Sequence, residues 1–144
     1  MPTAPRALLP VASAAAGAAL LVSCSSAPPE LSEAMEAVCD EGTISEPEPY
    51  PYPDSEPEDW AEPVEELRCD HSELTLSGDV YDEDPSDRLQ GVSDSVESGD
   101  GGDYWTAVAE GDGRWVVVSF SAAPSDEDPE FLDPLKDMGF EVDE

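Results

Sequence analysis

Asparagine is missing from this 144-residue chain, and lysine, isoleucine and histidine occur once each, as Lys136, Ile44 and His71. Asn, Lys and Ile have AT-rich codons, so their scarcity beside plentiful Ala, Pro, Gly, Asp and Glu reads as a GC-rich bacterial coding sequence. Positive charge is the largest deficit: 5 Lys+Arg stand against 36 Asp+Glu, for a formal net charge of -31. A phosphate backbone needs a basic footprint, so nucleic acid is excluded as a partner, and cations and basic proteins are favoured. Such self-repulsion works against a compact state while keeping the chain soluble. The length sets a limit of one domain with one modest core.

Catalytic patterns are scarce too. A nucleophile of the acyl-transfer kind needs a base beside it, and His71 is the single histidine, with no glycine-flanked nucleophile motif in the chain. Gly99-Asp100-Gly101-Gly102-Asp103 lacks both the phosphate-loop lysine and the spacing of a calcium loop with its closing glutamate. Carboxylates are too abundant for any pair to stand out as an acid and a base. The expectation is a domain without enzymatic activity and without a cofactor.

The apolar run from Ala7 to Val22 contains Pro10 and follows Arg6. It is shorter than the roughly 20 residues a membrane-crossing helix needs, and has the order of a secretory signal. It ends in Leu21-Val22-Ser23-Cys24. These four residues resemble the lipobox of bacterial lipoproteins: an aliphatic residue, a tolerated β-branched one, a small one before the cut, and the cysteine that receives lipid. The resemblance covers residues 1–24 alone. It implies that residues 1–23 are a cleaved signal peptide, that Cys24 carries the lipid, and that the protein sits on the outer face of the cell membrane. Residues 24–29 then form a tether and residues 30–144 a single acidic domain.

With Cys24 committed to lipid in an exported protein, Cys39 and Cys69 remain as an even pair, for which a disulfide is the default. The alternative, zinc held by Cys39, Cys69 and His71, lacks a fourth ligand and a second paired motif.

Leu31, Met35 and Val38 recur at helical spacing, with Glu30 and Glu33 in the first turn and Gly42 beyond the end. Residues 43–63 carry Pro47, Pro49, Pro51, Pro53, Pro57 and Pro63 among acids, with Tyr50, Tyr52 and Trp60 between them. That composition reads as an extended loop. Leu74, Leu76 and Val80 alternate with polar residues and predict a strand at about 72–81. Asp84-Pro85 looks like a cap and first turn, and Leu89, Val92 and Val96 continue it as a second helix weakened by Gly91.

The strongest pattern runs from Tyr104 to Ser121, two apolar runs around Glu110-Gly111-Asp112-Gly113. With Asp112-Gly113 as a two-residue turn, Ala109 faces Val116, Ala107 faces Val118 and Trp105 faces Phe120. Finally, Asp128-Pro129 and Asp133-Pro134 mark helix starts, and Leu132, Leu135 and Met138 lead to Gly139 and a folded-back Phe140.

The elements predict an α+β domain with helices laid on one face of a three-stranded, mainly antiparallel sheet. The expected function is a lipid-anchored envelope protein that binds or builds, with an envelope protein or cations as partners. The alternative is calcium capture by oxygen-rich loops at Asp82-Glu83-Asp84, Asp126-Glu127-Asp128, or Asp100 with Asp103.

Overall fold

Asp112 and Gly113 both adopt positive φ, 51° and 74°, the pair of conformations that turns a strand back on itself in two residues without splaying it. Around them the computed structural model, which describes residues 27–48, 60–99, 102–124 and 129–144, forms a hairpin of β3 (Asp103–Gly111) and β4 (Arg114–Ala122). Its register pairs Ala109 with Val116, Ala107 with Val118 and Trp105 with Phe120, as the spacing predicts.

The rest of the sheet corrects the sequence reading. There are five strands, in the order β1-β2-β4-β3-β5 and antiparallel throughout, where three were expected. The expected strand at about 72–81 is interrupted at its start. Ser72 has φ 54°, and β1 (Glu65–His71) turns there into β2 (Leu74–Tyr81), with His71 paired to Leu74. The additional strand β5 (Glu141–Asp143) adds to the far edge, against Thr106 to Val108 of β3.

The helices also divide between the two faces instead of sharing one. One face packs under α1 (Leu31–Val38) and α3 (Asp133–Asp137), with Leu31, Met35, Val38, Leu135 and Phe140 closing over Leu76, Trp105, Val118 and Phe120. Successive strand residues point to opposite faces, so Val117 belongs to the other side. There it joins Tyr81, Ala61 and the half-buried Leu89 of α2 (Ser86–Gly99) in a second, smaller core. Asp84 starts α2 as expected: its carboxylate accepts hydrogen bonds from the Ser86 backbone N–H and hydroxyl, and Leu89 N–H reaches Pro85 O at 2.9 Å.

Close approach explains one glycine on each face. A Cβ at Gly78 would lie 2.5 Å from Met35 Sδ, so α1 can rest on β2 only over a bare backbone. On the other face a Cβ at Gly91 would lie 2.2 Å from the Trp60 ring, so the glycine expected to weaken α2 is where Trp60 packs against it. At the chain's other end, Gly139 (φ 94°) donates to Lys136 O and Phe140 donates to Leu135 O. This is the paired-bond helix stop in which the residue after glycine folds back onto the helix, and it sends the chain into β5.

Cys39, just past α1, is bonded to Cys69 of β1, with Cα atoms 5.8 Å apart and a sequence separation of 30. Closing a loop of that length stabilises by about 3.7 kcal/mol on the chain-entropy estimate. The Cys39→Ser/Cys69→Ser double variant is therefore expected to lose roughly 3–4 kcal/mol in urea unfolding. An unchanged midpoint would show that the loop is held by other contacts.

Candidate functional site

Alternation decides what lies beneath α2. On the side of the sheet away from α1, β1 contributes Glu66 and Arg68, β2 contributes Ser77, Asp79 and Tyr81, β4 contributes Ser119 and Ser121, and β3 contributes Tyr104. The register places Glu66 opposite Asp79, Arg68 opposite Ser77, and Ser77 opposite Ser119. Four adjacent strands thus pool their polar positions into one strip. Leu89 and Val92 of α2 overhang it with Arg88, and the cleft between them has a volume of about 270 Å³.

Among the described residues, the buried polar side chains are Asp79 and Ser119, at 8% and 4% exposure, and both line this cleft. Burial, the largest influence, pushes the Asp79 carboxyl up from 3.8 to about 6; Arg68 opposes the rise and Glu66 adds to it. The Arg68 guanidinium lies 3.5 Å from Asp79 Oδ1 and 3.6 Å from Glu66 Oε1, so one cation sits between two acids. Ser119 is hydrogen-bonded to the Tyr104 side chain, whose phenol burial shifts upward in pKa. Tyr81 is raised as well, first by burial and then by the nearby Asp79.

The overhanging helix is tied down from outside. Arg88 donates to Ala61 O at 3.3 Å and its guanidinium stands 6.0 Å from the Trp60 ring centroid. The far end of the proline-rich segment therefore rests on the helix that roofs the cleft.

Of the residues singled out in the sequence, Cys39 and Cys69 are joined, which leaves neither thiolate to hold zinc. His71 instead stacks on Phe131, with ring centroids 4.2 Å apart and Asp40 Oδ1 3.7 Å from Nδ1. Asp82 pairs with Arg114 at 3.2 Å and Asp84 caps α2. No group of three or more His, Cys, Asp or Glu among the described residues is arranged to hold a metal ion. Cys24, Asp100 and Asp126-Glu127-Asp128 lie outside the described residues, as does the middle of the 43–63 loop. Among the described residues no helix is long and apolar enough to cross a membrane.

The cleft was not anticipated from the sequence. The available signal was Asp79, an acid lying between Gly78 and the apolar pair Val80-Tyr81 at the end of a strand. Comparison with protein-family models, curated proteins and solved structures finds no match to this chain.

The raised Asp79 value has a definite consequence for stability. Between about pH 4 and 6 the folded form keeps a proton that the unfolded chain has released, so this group's contribution falls as pH rises through that window. At neutral pH the ionised, buried carboxylate is destabilising by on the order of 2–3 kcal/mol relative to its protonated form. Asp79→Asn should remove that part of the fall, measured as the difference between wild-type and variant unfolding curves at pH 4 and pH 7. Parallel pH profiles would show that Asp79 titrates normally.

Proposed function

We propose that this protein is a lipid-anchored module of the bacterial cell envelope that binds rather than catalyses, held outside the membrane through Cys24 and presenting the cleft beneath α2. The observation that carries the reading is the Cys39–Cys69 disulfide. A bond of this kind persists where the surroundings are oxidising, as outside the cytoplasm. It also leaves Cys24 as the remaining cysteine, at the end of an apolar run that resembles a lipoprotein leader.

Charge supports the same reading. Anionic lipid headgroups repel a domain this acidic, so a covalent anchor followed by the small residues Ser25 to Pro29 supplies attachment that the surface itself cannot. Two buried acyl chains, at about 0.8 kcal/mol per CH₂, hold a protein where one chain binds only reversibly. The binding role rests on the cleft, where Arg68, Asp79 and Ser119 are gathered beneath α2.

The test is Cys24→Ser in the producing cell. The variant is expected to leave the membrane fraction or to retain its leader, read by fractionation and intact-mass measurement. Normal processing with full membrane retention would overturn the assignment.

A further inference from the structure

The cleft under α2 has a chemistry that selects among ligands. A sheet face covered by a helix is ordinarily apolar, because polar groups cost free energy when withdrawn from water. Here both buried polar side chains of the described residues lie on that face, within one cleft. Its charges already answer one another, since Arg68 is shared by Asp79 and Glu66. A charged ligand would therefore displace an existing partner. Capacity is left in neutral groups on the sheet wall: the Ser77 hydroxyl, and the hydrogen-bonding positions that remain on Ser119 and Tyr104 once they have bonded to each other. The opposite wall presents the aliphatic side chains of Leu89 and Val92 beside Arg88, whose guanidinium donates to Ala61 O.

One wall of hydroxyls and carboxylate oxygens facing one of aliphatic carbon complements a molecule with hydroxyls around its rim and C–H groups on its faces. The volume, about 270 Å³, accommodates one six-membered ring with its substituents. The protein's overall field argues the same way. With a net charge of -31, anions are repelled from the whole surface and cations are drawn to all of it. Neutral ligands are the class that the cleft alone can discriminate.

We propose that this cleft binds a neutral cyclic polyol, the size of a single sugar ring, through Ser77, Ser119 and the Arg68–Asp79 pair. The proposal rests on the reading of the domain as a binding module, but its test does not involve the anchor. Release of the Cys24→Ser variant from membranes and ligand binding by the purified chain are separate measurements, and either can fail alone.

The oxidised full chain is titrated with glucose, N-acetylglucosamine and myo-inositol, and in parallel with leucine as a zwitterion, while backbone amide shifts are followed by NMR. At least one cyclic polyol is expected to shift the amides of Ser77 and Ser119 saturably, with a dissociation constant of about 1 mM or below. That constant should change less than about twofold between roughly 0.02 and 0.3 M salt, since no net charge is exchanged. Ser119→Val should weaken binding about tenfold by removing a buried hydrogen-bonding group. Ser77→Ala, which keeps the strand and removes one hydroxyl, should weaken it about threefold and serves if the first variant unfolds. No saturable shift with any of the three polyols, saturation by leucine instead, or binding unchanged in a folded variant would overturn the proposal.

Discussion

The disulfide between Cys39 and Cys69 is the constraint on which the two halves of this domain depend. Cys39 ends the helix that covers one face of the sheet, and Cys69 lies one residue beyond Arg68, which serves the other. The bond therefore fixes the strand that supplies a cleft wall to the helix that closes the main core. A chain of this size buries a smaller fraction of its surface than a larger domain does, and this one also carries a large unbalanced charge. A cross-link that restricts the unfolded ensemble matters more under those conditions than in a neutral domain of equal length.

The few cations are placed with economy. Arg114 meets Asp82 and Lys136 meets Asp133, both exposed pairs of small energetic weight. Arg68 and Arg88 instead line the cleft, where solvent screening is weaker and each guanidinium has a defined neighbour. The acid excess remains spread over the surface. A highly charged exterior thus surrounds a cleft lined by two acids, Glu66 and Asp79, and two cations, Arg68 and Arg88.

How much of this was legible depended on how strongly each local signal was written. The β3–β4 register followed from Asp112-Gly113, because a one-residue slip would have turned Trp105 and Val118 out of the core. The clasp at Phe140 followed from Gly139. β1 escaped because its turn, Ser72-Glu73, contains none of the residues that usually announce positive φ, and Ser72 adopts it at 54°. The strand itself, Glu-Glu-Leu-Arg-Cys-Asp-His, offers only Leu67 and Cys69 as inward apolar positions. The side chosen by α2 was illegible for a related reason: none of its residues is fully buried, so its apolar stripe was faint. The cleft could not be read because its parts come from four strands, and each polar residue alone resembles an ordinary solvent-facing position.

The edges of the sheet carry a last consequence. Beside β1, Ser45 forms a two-way backbone bridge with Arg68, and Asp40 N–H donates to Asp70 O. Beyond β3, the three residues of β5 include Glu141 and Asp143. An open strand is a template onto which another chain can polymerise, and short, acidic or plugged margins deny it that template. A protein confined by lipid to a plane meets its own copies far more often than one free in solution. On the proposed lipid anchor, these blunted margins would keep crowded neighbouring copies from zipping together.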